Sequence, residues 1–512
     1  MTSRTTPTEL DRRLMWSVFA LLLVSYAYFF SGGGWNENSR FDLVRSIVDD
    51  HTLAIDRYHE NTGDKARHGE HYYSDKAPGL SFLAVPAYAL VRLTHPFFRT
   101  EHDFVVFAVW LVTCLTISVA GAATGALVYR CGRQLGASSA GALLAALAYG
   151  LGTPAFPLST MLFGHQLAAL ILMSAFLLAT GPRDENKDRS TVIVLLCAAA
   201  AVVEYPTFPV ALGIALFHLG PRFLRLSRPA RFSRPTWKAL LIAAVPVVAL
   251  GIYLTVAFGS PLRVGYDLLS DPGSRAEMHS HGFFGVSYPK LAVIGLLLGS
   301  HTRGLLIYSP VLFLAFPGFL EALFSEGDPE RGISEEDRRR RRTALLALSV
   351  VVYFVLFVSS YEWWAGGASF GSRHLAPMLP FLALPVALVA SRRPWIAIML
   401  LVPSVMCMTV VTAVHPKPSD WVVSPFWNSL LPSFLKGDLA LTKLCPVFGN
   451  PAHPDHHPFA TGAPYDAFNV GMLLGGRGLK TLVPLVALWT TAVWAFAREL
   501  REPAATDVTI PA

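Results

Sequence analysis

Arg12-Arg-Leu-Met-Trp-Ser-Val-Phe-Ala-Leu-Leu-Leu-Val-Ser-Tyr-Ala-Tyr-Phe-Phe30 decides the fold. Two arginines precede an unbroken apolar run from Leu14 to Phe30, which then meets Ser31-Gly-Gly-Gly-Trp35. A membrane-crossing helix needs about 20 such residues, and basic residues stay on its cytoplasmic side. No small-x-small cleavage pattern follows the run, so it reads as an uncleaved first helix rather than a removed leader.

The same alternation of apolar run and basic connector recurs along all 512 residues. The chain is 53% hydrophobic and only 15% charged, against roughly 25% charged in soluble domains. The net charge of +7 lies in short loops between apolar runs, where it orients the chain. No nucleic-acid partner is expected from it. Cys114, Cys131, Cys197, Cys407 and Cys445 lie far apart without CxxC spacing, and no disulfide framework is expected.

The basic loops set the sides. These are the N-terminus, Tyr129 to Arg133, Gly181 to Arg189, Arg222 to Lys238, Arg338 to Arg342, Ser391 to Arg393 and the tail from Arg498. Placing all of them in the cytoplasm predicts an all-α polytopic membrane protein with about twelve transmembrane helices. They fall near residues 14–30, 104–129, 137–152, 158–180, 191–203, 206–220, 238–257, 304–323, 343–360, 374–390, 394–413 and 479–497. Residues 79–94 and 289–300 are apolar but cannot both cross without inverting the arginine run, so they read as half-inserted or interfacial helices. Both termini are then cytoplasmic in a multi-pass inner (plasma) membrane protein. The organisation expected is a transmembrane unit over 1–413 with an outer loop 31–103, an extracytoplasmic segment 414–478, and a last helix and tail over 479–512.

Polar chemistry collects in the outer loops. Trp35-Asn-Glu-Asn-Ser-Arg-Phe-Asp42 opens a helix whose apolar positions 41, 44, 47 and 48 suit one lying along the membrane surface. Glu37 or Asp42, shielded just beyond a membrane helix, suits a general base; the alternative is capping and solvation, and Arg40 stands between them. Further on, His71-Tyr-Tyr-Ser-Asp-Lys-Ala-Pro-Gly-Leu80 brings Tyr73, Asp75 and Lys76 to the lipid boundary. There an ammonium suits a lipid phosphate, or simply snorkels. A third cluster, Tyr361-Glu-Trp-Trp-Ala-Gly-Gly-Ala-Ser-Phe-Gly-Ser-Arg-His374, offers Trp363 and Trp364 for stacking on a sugar or anchoring at the interface, with Arg373 and His374 beside them.

Arg373 and Arg303 lie on the outer side against the positive-inside bias, which points to an anionic ligand. His165 and Glu204 sit near outer helix ends, where ionisable groups face a cavity or a polar partner. The run Pro451-Ala-His-Pro-Asp-His-His457 carries imidazoles without a helical frame, a weak metal signal beside the reading as a solvated loop. No metal ligand set is assigned, and a divalent metal is left open.

These features together resemble the GT-C superfamily of membrane glycosyltransferases, in particular the bacterial enzymes related to protein O-mannosyltransferases and the lipid A aminoarabinose transferase. The likeness spans about residues 10–390: the first helix with its acidic loop, Tyr73-Ser-Asp-Lys76 with its proline, the turn Arg133-Gln-Leu-Gly136, and the Trp–Gly-rich–Arg loop. In the family an acidic pair after the first helix supplies the catalytic carboxylate, and a lysine–proline element serves the lipid phosphate. Here they fall on Asn36-Glu37 and Lys76-Ala-Pro78, with Asn36 where the family's leading aspartate stands and Gly79 where a second proline is usual. The resemblance implies inverting transfer of a monosaccharide from a polyprenyl-phosphate donor to a hydroxyl acceptor (envelope lipid, polysaccharide or protein) on the extracytoplasmic side. Glu37 or Asp42 would be the base, and Lys76, Arg303 and Arg373 would hold the donor phosphate. Arg40, Tyr73, Asp75, His165, Glu204, Trp363, Trp364 and His374 would line the substrate. The rival class is a multi-span transporter or lipid flippase, which predicts paired halves and charges at mid-membrane. Neither is evident in the sequence. A non-enzymatic envelope scaffold would leave the acidic loop and outward arginines unexplained.

Overall fold

The structure, a computed structural model describing residues 8–182, 188–224, 234–324, 334–418, 422–441 and 467–501, is built of helices whose small residues decide how they meet. The first helix, α1 (Glu9–Ala27), lies against Glu101–Gln134 and Ser139–Gly152. A Cβ on Gly125 or Gly150 would fall 2.3 or 2.5 Å from Leu22, and one on Gly121 2.2 Å from the Ser159 hydroxyl. Apolar burial gives little preference between a neighbouring helix and a lipid tail, so close backbone approach at Gly and Ala supplies the contact. Polar groups then fix the register. Tyr26 donates to the Gly150 carbonyl at 2.9 Å and Tyr149 to Gln166 at 2.8 Å. At the end facing the basic loops, Asp11 accepts from Tyr129 and from Arg133. There Gly136, at φ +87°, supplies the left-handed residue that ends one helix and lets Ser138 cap the next.

Every one of the twelve predicted stretches holds helix. Among the described residues five helices are long and apolar enough to cross a membrane: Glu101–Gln134, Ala239–Phe258, Glu335–Ser360, Pro394–Val414 and Gly478–Arg501. A sixth arises if Arg373–Ala383 and Val386–Arg392, bent by 41°, are one span. The helices at 79–92, 139–152, 164–180, 190–203, 205–220 and 310–324 are shorter. At 1.5 Å per residue they reach roughly 20–25 Å, short of a hydrocarbon core of about 30 Å. All-α polytopic architecture is thereby established. Residues 79–94 and 289–300 form the short helices α3 (Gly79–Arg92) and Leu291–Gly299.

The helix predicted to lie along the membrane surface is α2 (Trp35–Asp49), and it is covered by protein on every side. Every residue from Asn36 to Ser46 is buried. Its apolar side chains divide between two clusters, Phe41 and Val44 against α3 and the Glu101–Gln134 helix, Leu43 against the hairpin Lys65–His68/His71–Ser74. The polar remainder is taken up by partners: Ser81 donates to the Arg40 carbonyl at 3.0 Å, and Tyr88 to Asp49 at 2.8 Å. Four-residue periodicity marks a helix face; it does not reveal that a hairpin and a second helix cover the other face.

The segment after 414 folds back onto the first loop. Phe468–Asn469 pairs antiparallel with Phe29–Phe30, and Lys417 reaches the start of α2. The His-containing run 451–457 and Cys445 lie outside the described residues. The other four cysteines are unpaired thiols.

Candidate functional site

Four elements converge where α3 begins. Pro78 caps α3, and Gly79 brings its backbone against the end of Ser190–Val203, where a Cβ would meet the Val202 carbonyl oxygen at 2.8 Å. Only a glycine passes there, so Lys76 and Asp75 are held beside Glu204, the residue that ends Ser190–Val203. Arg40 crosses from α2 and donates to Glu204 at 2.8 Å, to the Ala77 carbonyl at 3.1 Å and to Asn36 at 3.0 Å. His165, the second residue of Gly164–Thr180, brings Nδ1 to 3.6 Å from the same Glu204 carboxylate. Its ring meets that of His374 edge-on at 5.7 Å, and His374 meets Tyr361 at 5.4 Å. Arg373 lies over the ring of Phe163 at 5.0 Å.

Charge concentrates in this cluster. Lys76 pairs with Asp64 at 2.9 Å and Asp75 at 3.1 Å, with the Tyr266 ring 5.7 Å away. The charges of Arg40, Arg373 and Lys76 all act on Glu204 and on His165. Burial alone would pull the Lys76 ammonium down, but Asp64 and Asp75 outweigh it and hold it above its usual value. The Asp75 carboxyl is pushed up to about 6, chiefly by burial, against the lowering pull of Lys76. Two buried atoms in the cluster have no hydrogen-bond partner, Asp75 Oδ1 and Arg373 Nε. An acceptor and a donor left open beside a buried cation suit a ligand with one hydroxyl and one anionic group.

Of the sequence candidates, Lys76, Arg373, Arg40, Asp75, His165, Glu204 and His374 come together here. Trp363 borders the cluster through Tyr361, 6.5 Å ring to ring. Trp364 turns inward to the main core and accepts from Ser372 on its carbonyl. Tyr73 is also a core residue, its ring edge-on to Phe258 at 5.8 Å.

Three candidates are placed elsewhere. Glu37 does not stand free as a base: Lys417 donates to its Oε1 at 2.7 Å and to the Gly32 and Gly33 carbonyls at 2.9 Å each, and both side chains are buried. Asp42 lies two residues beyond Arg40, about 200° around the helix, and so faces away from Lys76; Asn61 donates to its Oδ1 at 3.1 Å. Arg303 clamps a loop. Its guanidinium donates to the carbonyls of Ala365, Gly367, Ser369 and Gly371 at 2.7–3.3 Å. Gly366, Gly367 and Gly371 are left-handed, at φ +81°, +67° and +72°, which lets those carbonyls turn toward one cation. Arg303 thereby shapes the loop that presents Arg373.

Sequence reasoning missed Lys417, Asp64 and Tyr266. Lys417 carries the signal already used for Arg303 and Arg373, a cation following a helix end on the predicted outer side. Asp64 and Tyr266 carry no such mark; the loops that hold them meet only in the fold. Among the described residues no three His, Cys, Asp or Glu side chains gather in a group that could hold a metal.

No family model and no curated protein matches this chain. Among solved structures it is similar to the crystal structure of ArnT from Cupriavidus metallidurans bound to undecaprenyl phosphate, with TM-score 0.49, 13% identity, and 96% of this chain and 77% of that one covered. The apo structure of the same protein aligns with TM-score 0.44 and 14% identity over 95% of this chain and 75% of that one.

Proposed function

We propose that this chain is a membrane glycosyltransferase that moves a monosaccharide from a polyprenyl-phosphate donor to a hydroxyl acceptor on the extracytoplasmic side. The observation that carries the reading is the convergence of Arg40, Lys76 and Arg373 around one buried site. There Asp75 Oδ1 and Arg373 Nε have no partner. The motif resemblance around Tyr73-Ser-Asp-Lys76 and the Trp–Gly-rich–Arg loop supports the same class.

In this reading Lys76 and Arg373 hold the donor phosphate, and Arg40 keeps Glu204 in place beside them. Asp75 takes the base role that the sequence pointed to in Glu37 or Asp42. It removes the acceptor hydroxyl proton, and the freed oxygen attacks the anomeric carbon from the face opposite the phosphate. The carbon–oxygen bond to the phosphate breaks, and its electron pair leaves on the polyprenyl phosphate, whose charge rests on the two cations. Tyr361 and Trp363 border the place where the sugar ring would lie.

The test incubates purified protein in nanodiscs with a panel of radiolabelled polyprenyl-phosphate sugars and membrane acceptors. Lys76→Met and Arg373→Gln should each slow transfer by about 100-fold or more. Asp75→Asn should abolish the rise of kcat/KM with pH that centres near 6 in the wild type. Solute uptake into vesicles without sugar transfer would overturn the reading in favour of a transporter.

A further inference from the structure

α2 carries a second cation on its other side. Arg45 lies five residues after Arg40, about 140° around the helix and 7.5 Å along it, so it serves a different space. That space is a cavity of about 470 Å³ walled by Arg45, Asp49, Arg57, Tyr58, Asn61, Arg92 and Glu101, which is within the size range of sites for small ligands.

The cations of this cavity are unequally engaged. Arg57 pairs with Asp50 at 2.9 Å and Arg92 with Asp49 at 3.0 Å. Arg45 is only 4% exposed; among the described residues its Nε has no hydrogen-bond partner and its one ion pair, to Glu101, is long at 3.5 Å. Its guanidinium carbon lies over the Tyr58 ring, 4.0 Å from the centroid. A buried guanidinium held against a ring and short of acceptors is prepared for an oxyanion. Arg92 is the last residue of α3, and Leu93 and Phe97 just beyond it are 72% and 86% exposed. A cavity lined by three guanidiniums against two carboxylates, with exposed apolar side chains following Arg92 in the chain, matches a ligand that is anionic at one end and hydrocarbon at the other.

We propose that this cavity is a second binding site, distinct from the Lys76 cluster, which takes the phosphate of an anionic membrane lipid on Arg45 and Arg92 while Leu93 and Phe97 meet its acyl chains. The proposal stands whether or not the Lys76 cluster transfers sugars.

The test uses purified full-length protein in a neutral detergent, titrated with dioctanoyl phosphatidylglycerol, dioctanoyl phosphatidylcholine or inorganic phosphate. Thermal unfolding and intrinsic fluorescence are the readouts. The anionic lipid should bind in preference to the zwitterionic one, and Arg92→Gln and Arg45→Gln should each weaken it by at least 10-fold. Glu101→Gln, which removes the carboxylate competing for Arg45 from a half-exposed position, should tighten it several-fold and keeps the test decisive if Arg45→Gln does not fold. Lys76→Met should leave this binding unchanged. Equal binding of both lipids, insensitivity to Arg92→Gln and Glu101→Gln, or loss with Lys76→Met would each overturn the site. Inorganic phosphate competing as strongly as the lipid would overturn the lipid as its source.

Discussion

Replacing both members of the Glu37–Lys417 pair should harm the protein less than the two single replacements added together. The pair is buried on both sides, at 2.7 Å, and the ammonium also serves two backbone carbonyls at 2.9 Å. Lys417→Met leaves the Glu37 carboxylate without its cation in a site that water does not reach, a loss of about 3–5 kcal/mol. Glu37→Gln keeps an acceptor for Lys417, and the two carbonyls still receive the ammonium, so its cost is about 1–3 kcal/mol. In the double variant no charge is left stranded, and the glutamine amide can donate toward the Gly32–Gly33 turn. Its destabilisation should therefore fall below the sum of the single values by about 2–3 kcal/mol. Reversible unfolding in mixed micelles measures the stabilities, and transfer turnover is recorded per folded molecule alongside. Additivity within about 0.5 kcal/mol would refute the coupling. A Glu37→Gln protein of unchanged stability whose turnover drops 100-fold would refute the structural assignment and return Glu37 to the role of base.

Asp42 makes a prediction about pH. Burial pushes its carboxyl up to about 8, outweighing Arg45, Asn61 and Lys65, from an ordinary 3.8. The unfolded chain therefore releases this proton first, and native stability should fall as pH rises from about 4 to about 8, by several kcal/mol in all. Asp42→Asn should flatten that part of the unfolding-temperature profile; parallel wild-type and variant profiles would contradict the assignment. Arg303→Ala strips the 365–371 loop of its shared donor, at about 3–6 kcal/mol for the two shortest bonds to a charged group. Limited proteolysis should then cut near the Gly366-Gly367 pair, while Arg303→Lys should be intermediate. A loop equally resistant in Arg303→Ala would mean that the clamp is not needed.

The sequence alone determined the solvent, the class of fold and most of the residues that gather at the candidate site. Apolar runs between basic connectors require a bilayer whatever the packing, and each predicted span holds helix. Lys76, Arg373, His165 and Glu204 were legible for the same reason. A charged or ionisable group is expensive at a helix end near lipid, so its presence there marks a site.

Only the tertiary structure decided which way each side chain of α2 faces. Arg40, Asp42 and Arg45 lie within six consecutive residues, yet Arg40 serves the Lys76 cluster, while Asp42 accepts from Asn61 and Arg45 lines a different cavity together with that Asn61. A residue's spacing fixes its angle around the helix but not what the rest of the chain brings to that angle. The partners of Glu37 and Arg40 are 380 and 164 residues away along the chain. The hairpin, Asp64 and Tyr266 likewise reach the site through packing, which local pattern does not encode.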